Sequence, residues 1–299
     1  MNRQGLGRAT GALAAAGAFG AVWALGIEPH LFRIRRHRLP VLPAGSAPVR
    51  VLHLSDLHLA PWQRHKMAWV RGLAALEPDL VVNTGDNWSA PILPAVLDTY
   101  GELLDVPGVF VLGSNDFFAP RAKNPARYLR GPSEIEEERP PHPLPTRDLV
   151  EALTARSWQL LDNRGTELTV NGVRFSVSGL GDAHMDRDRI TADHPAFDPT
   201  AGVRLGVTHA PYLRTLDAFA RTGADLVLAG HTHGGQIRIP FWGAPVTNCD
   251  LDRTRARGVF DHRGTTVHVS AGLGFSPFAP ARFSCPPEVS LLELVPRAD

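Results

Sequence analysis

The chain has 299 residues, room for one large domain or two small ones. With 43% apolar and 20% charged residues it can build a sizeable core, and 28 Gly and 26 Pro leave it short of a low-complexity composition. Two cysteines, Cys249 and Cys285, exclude both a disulfide scaffold and a cysteine zinc site. The net charge of +1 is uneven. Residues 1–48 hold six Arg and one Glu, and the remainder holds 25 basic against 29 acidic side chains. An acidic body argues against a nucleic-acid binder, which needs a basic face, and suits a protein that holds cations.

Ala9 to Ile27 is a stretch of 19 residues without a charge. As a helix it would span roughly 28 Å, close to the hydrocarbon thickness of a bilayer. Twelve of the 19 are Ala or Gly, so the stretch is only weakly hydrophobic. Three readings are open. The favoured one is an uncleaved N-terminal hydrophobic helix, residues 1–30, that anchors the protein to a membrane. The others are a signal peptide cut at the small-x-small site Ala24-Leu25-Gly26, and a buried soluble helix. Arg33, Arg35, Arg36 and Arg38 follow the span, and by the positive-inside rule they favour the cytoplasm for the main domain. Phe32 to Val41 also reads as an edge strand within a linker of residues 31–48. Arginines folded into that strand carry less topological weight, so the side of the membrane is open.

From Val49 onward one pattern recurs. A short apolar run of strand type ends in small, polar, metal-competent residues: Ser55-Asp56-Leu57-His58, Thr84-Gly85-Asp86-Asn87, Gly113-Ser114-Asn115-Asp116, Thr208-His209 and Gly230-His231-Thr232-His233. Helical periodicity falls between them over Trp62–Leu76, Asp148–Gln159 and Tyr212–Ala220. Strands alternating with helices predict an α/β fold with largely parallel pairing, in which ligands gather at the carboxyl ends of strands. The later runs at 168–170, 173–177, 266–270 and 290–294 predict a second or mixed sheet. An Asp after one strand is commonly a turn residue. Five such clusters together offer Asp, His and Asn donors and no thiolate, a set that suits Mn, Fe, Zn or Mg. In Asp56-x-His58 and His231-x-His233 an extended backbone would point both side chains the same way.

In order and spacing these five motifs resemble the calcineurin-like metallophosphoesterase superfamily over residues 49–294. The N-terminal segment, Gly230-His231-Thr232-His233-Gly234-Gly235-Gln236 and Cys285-Pro286-Pro287-Glu288 resemble its membrane-linked bacterial phosphodiesterase branch. Some members of that branch are assigned to hydrolysis of UDP-2,3-diacylglucosamine. The resemblance implies a catalytic domain at 49–299, folded as a four-layer α/β/β/α sandwich with two mixed sheets. It implies a binuclear centre: Asp56, His58, Asp86 and His233 on one divalent ion, and Asp86, His209 and His231 on the other, with Asp86 bridging. A hydroxide shared by the ions would then attack phosphorus in line.

The third motif departs from the family's Gly-Asn-His followed by an acid. Strict alignment puts Ser114 in the ligand position, and a shifted loop puts Asn115 there. Asn115 is favoured, because an amide oxygen is the better neutral donor. With no histidine in this motif the leaving group needs another acid, and His184 is the candidate; alternatively the leaving group needs little help, as in a pyrophosphate. The expected substrate is therefore a lipid- or nucleotide-linked phosphodiester or pyrophosphate. A non-catalytic metal-binding scaffold and a nuclease are the rival readings. Phe117–Arg147 reads as a lid or a surface loop, and Gly272-Leu273-Gly274 with Arg282 as a phosphate border or a turn.

Overall fold

A computed structural model describes residues 15–122 and 142–297. Two six-stranded mixed sheets face each other. The first has the order β1 (Arg33–Leu42), β12 (Glu288–Pro296), β2 (Val49–Leu54), β3 (Leu80–Asn83), β4 (Gly108–Phe110) and β5 (Trp158–Leu160). The second runs β10 (Gly258–His262), β11 (Thr265–Val269), β9 (Leu226–Ala229), β8 (Val203–Thr208), β7 (Val173–Leu180) and β6 (Arg164–Val170). β2, β3 and β4 are mutually parallel, as are β7, β8 and β9.

The central strands are Val- and Leu-rich without polar alternation because both of their faces are covered. Val51, Val82 and Val109 of the first sheet meet Phe175, Leu205 and Leu228 of the second in a shared core. On the outer face of the first sheet lie α1 (Arg64–Arg71), α2 (Leu93–Tyr100) and α4 (Thr146–Thr154), which bury Val70, Val96, Leu149 and Leu153. A one-turn helix, α3 (Ser114–Phe117), follows β4, and α5 (Leu213–Arg221) seats Leu216 and Phe219 on the second sheet.

The structure differs from the sequence reading at three places. The helix expected over Asp148–Gln159 ends at Thr154, because Trp158 is drawn into the first sheet as β5 and packs against Tyr100. The run at 290–294 does not join the second sheet. It is part of β12, which inserts between β1 and β2. The apolar span is not one continuous α-helix over its described part: residues 15–22 are α-helical, Trp23–Ile27 form a π turn and Glu28–His30 a 3-10 turn. Among the described residues no helix is long and apolar enough to cross a membrane. Residues 9–14 of the expected span, and residues 123–141 of the expected lid, lie outside the described residues.

Just beyond β5, Asp162 accepts a hydrogen bond from the Leu112 N–H at 3.0 Å, which ties the exit of β4 to its neighbour. Burial pushes the Asp162 carboxyl up to about 7, against that hydrogen bond and with the help of Asp182. A folded-state pKa raised from 3.8 means the native chain holds a proton that the unfolded chain releases, so this residue withdraws stability as pH rises from about 4 through about 7. Asp162→Asn keeps the acceptor without the charge. The variant is expected to match wild type near the lower limit and to exceed it by about 1–2 kcal/mol at pH 8, after allowance for partial solvent exposure. Urea midpoints measured across that range check the sign.

Candidate metal centre

The five polar clusters emerge from the carboxyl ends of β2, β3, β4, β8 and β9, and the facing of the two sheets brings them together. The chain bends abruptly after β2, β3 and β9. Asp56 (φ 50°), His58 (43°), Asp86 (58°), His231 (69°) and His233 (49°) all stand in the left-handed region. That region is disfavoured for residues with a Cβ, at a cost of order 1 kcal/mol each. Neighbouring backbone holds them there: the N–H of Asp56 donates to Gly85 O at 2.9 Å and that of His58 to Asp86 O at 2.8 Å. The extended Asp-x-His and His-x-His geometry expected from the sequence is therefore not what aims these side chains. The left-handed bends aim them, and they separate His231 from His233.

Two groups of donors result. Asp56, His58 and His233 have ligand atoms within 4.8 Å of one another, and so have Asp56, Asp86 and His209. The Nε2 atoms of His58 and His233 are 3.2 Å apart. Asp86 lies between the groups, its Oδ2 at 3.3 Å from His58 Nε2 and 3.6 Å from His209 Nε2. His231 falls in neither group. Its backbone N–H donates to Asp56 Oδ2 at 3.0 Å, and its Nε2 lies 3.0 Å from Asn248 O.

Charge and burial fit a resident cation. Asp56 and His209 are fully buried, and Asp86 nearly so. Burial pulls the His58 and His233 rings below the ordinary histidine range, so both offer lone pairs at neutral pH. His209 behaves oppositely. Burial alone would lower it, but Asp86, Asp182 and Asp56 hold its proton up to about 10. Asp86 itself is pushed up by burial and by Asp56. His209 Nε2, buried next to Asp86, has no hydrogen-bond partner among the described residues. Nitrogen and oxygen donors in this arrangement suit a divalent ion.

The third motif meets the site through Asn115. Its backbone N–H donates to Asp86 Oδ1 at 2.8 Å and its amide contacts Asp86 Oδ2 at 2.9 Å. Asp116, which its place in the motif would allow as a ligand neighbour or a turn cap, is a clamp. Its fully buried carboxylate accepts from the N–H groups of Asp86, Asn87 and Gly113 at 2.8, 2.8 and 3.0 Å. An acid three residues after a strand-ending glycine is a helix-start signal, and that was its trace in the sequence. Gly113 has a steric reason. A Cβ there would stand 2.3 Å from Asp86 Oδ1 and 2.6 Å from His209 Cε1.

His184 stands at the rim, with its ring 4.6 Å from that of His231 and its Nδ1 3.0 Å from the Tyr212 hydroxyl. Arg282 is not a phosphate border. It is fully buried, and its guanidinium donates to the carbonyls of Ala271, Gly274 and Cys285 at 2.9, 2.6 and 3.0 Å. Arginine at the end of a loop looks alike in sequence whether it faces inward or outward.

Sequence comparison agrees with this geometry. The chain is 28% identical over 279 residues to the phosphodiesterase YaeI of Escherichia coli (strain K12), covering 90% of each chain. It is likewise 28% identical over 327 residues to the UDP-2,3-diacylglucosamine pyrophosphatase LpxG of Chlamydia muridarum, covering 94% of each. The family model described as calcineurin-like phosphoesterase matches residues 49–235, which hold all five motifs. The chain belongs to the calcineurin-like phosphoesterases, metal-dependent phosphoric ester hydrolases.

Proposed function

We propose that the chain is a binuclear phosphodiesterase or pyrophosphatase that cleaves a lipid- or nucleotide-linked substrate at a membrane. The observation that carries this reading is the pair of buried donor groups overlapping at Asp56, with Asp86 in contact with a histidine of each. Asp56, His58, Asp86 and His233 would hold one divalent ion, and Asp86, Asn115, His209 and His231 a second. A pair of such ions polarises phosphoryl oxygens and lowers the pKa of a shared water. Asp116 fixes the backbone of Asp86, and Asn115 fixes its carboxylate. His184, beside His231 and in contact with the Tyr212 hydroxyl, would hold a proton for the leaving group. A pyrophosphate leaving group would need that proton least. The name of LpxG, a pyrophosphatase of a diacylated nucleotide sugar, supports a lipid-linked substrate, and the apolar segment at 9–27 supports membrane association.

The test uses bis-p-nitrophenyl phosphate with added Mn²⁺. Wild type is expected to turn over, to stop on chelation and to recover when Mn²⁺ is restored. Asp86→Asn and His231→Ala are expected to lose most of the rate. Equal rates in all three proteins would leave the scaffold reading in its place.

A further inference from the structure

Five large apolar side chains stand exposed around a short turn beside the metal centre. Ile237, Ile239, Phe241, Trp242 and Phe278 are all open to solvent, and Phe241 is exposed without any cover at all. The turn is built deliberately. Ile239 and Gly243 exchange hydrogen bonds at 2.9 Å in both directions, and Phe241 is held at φ 67°, a conformation that presents its ring at the tip. Its stem is tied to the site. The Arg238 guanidinium donates to Gly234 O at 2.9 Å, next to His233, and Ile237 pairs with Phe283.

Positive charge predominates around this turn. Arg238, Arg253, Arg255 and Arg257 form no ion pair among the described residues, and Arg253 lies over the Trp242 ring at 3.9 Å. Two acids beside them, Asp250 and Asp252, are exposed, so four guanidinium groups stand against two carboxylates. Asp252 accepts from the Thr254 N–H at 2.8 Å, and Asp250 from the Leu213 N–H at 2.8 Å. The apolar rim continues toward the N-terminus, because the Arg282 N–H, one residue from Phe283, donates to Ala24 O at 2.8 Å. Around Ala24 the helical segment exposes Phe19, Val22 and Leu25.

From this arrangement we infer that the 237–243 turn is a second membrane contact, which inserts into the headgroup region of an anionic bilayer and sets the metal centre at phosphate level. Aromatic and aliphatic tips beside unpaired arginines match that boundary: the rings partition below the headgroups and the guanidinium groups meet lipid phosphates. Continuity with the exposed apolar side chains of the N-terminal segment, the part of the chain read as a membrane anchor, selects a lipid surface as the occupant. This deepens the reading of the substrate as lipid-linked and rests on it, since a lipid diphosphate would then reach His233 without leaving the bilayer.

The test places a nitroxide label at Phe241→Cys in the full chain, with a second protein labelled at the exposed Arg147→Cys. The two native cysteines are buried. In phosphatidylglycerol-containing vesicles the label at 241 is expected to be more accessible to oxygen than to a water-soluble nickel chelate, and the label at 147 to show the reverse. In parallel, Phe241→Ser with Trp242→Ser should leave turnover of bis-p-nitrophenyl phosphate unchanged. The same change should lower turnover of a vesicle-embedded lipid diphosphate about tenfold or more. Equal aqueous accessibility at 241 and 147 in anionic vesicles would overturn the docking surface. So would a label at 241 that becomes shielded by raising protein concentration without lipid, because the turn would then be a contact between copies. Failure of wild type on the soluble diester would defeat the hydrolase reading instead, and the label would still report the membrane contact.

Discussion

Asp56→Asn is expected to lower hydrolysis of bis-p-nitrophenyl phosphate by roughly 10³-fold or more, the scale set by losing several kcal/mol of charge stabilisation in the transition state. Asp56 contributes to both donor groups, whereas His58 and His233 contribute to one and His209 to the other. It also accepts the backbone N–H of His231, and its Oδ2 takes a hydrogen bond from Ser55 Oγ. Neutralising it therefore weakens both proposed ion sites and leaves the fold's covalent frame intact. His233→Ala should disturb the first group alone. Metal analysis separates the two outcomes: Asp56→Asn is expected to bind less Mn²⁺ at both sites, and His233→Ala to retain one. Undiminished turnover and metal content in Asp56→Asn would remove the shared centre on which the mechanism depends. The prediction also shifts emphasis within the site. The family resemblance implied Asp86 as the residue common to both ions. In the geometry Asp56 is the residue common to both donor groups, and it is the more completely enclosed of the two.

The α/β class, two mixed sheets and family were legible because they are written in local signals: apolar runs of strand length, each followed by small and polar residues. What was not legible depends on contacts between distant segments. Trp158 lies on a helical pattern, yet the gap beside β4 takes it as strand. The run at 290–294 looks like any strand; only its antiparallel register with β2 assigns it to the first sheet. At the centre, the residue types were visible but the backbone was not. Left-handed φ at five histidine and aspartate positions has no sequence signature, because these residue types visit that region more than most yet lie outside it in most of their occurrences. Asp116 reads in the sequence as a ligand neighbour or a turn cap, and Arg282 as part of a phosphate border or a turn. Their work, holding the Asp86 backbone and the loop at 271–274, is done through main-chain atoms that residue identity does not reveal.

Glu28→Ala is expected to destabilise the protein by about 3 kcal/mol and to weaken the metal centre at the same time. Glu28 is buried with three donors on its carboxylate: the Cys285 N–H at 2.5 Å, the Ser284 N–H at 2.9 Å and the Trp23 indole at 2.6 Å. Hydrogen bonds to a charged acceptor are worth more than neutral ones, and truncation strands all three donors. The loss is transmitted along a short covalent path. Ser284 and Cys285 follow Arg282, which grips the carbonyls of Ala271 and Gly274, and the Gly274 N–H donates to Asp56 O at 2.6 Å. The segment just after the apolar stretch thus buttresses the loop against Asp56 and His233. A cut after Gly26 would remove Trp23 and Ala24, and with them two bonds of this junction. Denaturant midpoints and Mn²⁺ titrations on Glu28→Ala and Glu28→Gln are the measurement. The alanine variant should lose stability and bind Mn²⁺ roughly ten- to a hundredfold more weakly, as when a group that orients metal ligands is removed. The glutamine variant, which keeps an acceptor oxygen, should fall between it and wild type. Weakened stability with unchanged Mn²⁺ affinity would separate this junction from the metal centre and confine Glu28 to holding the N-terminal segment.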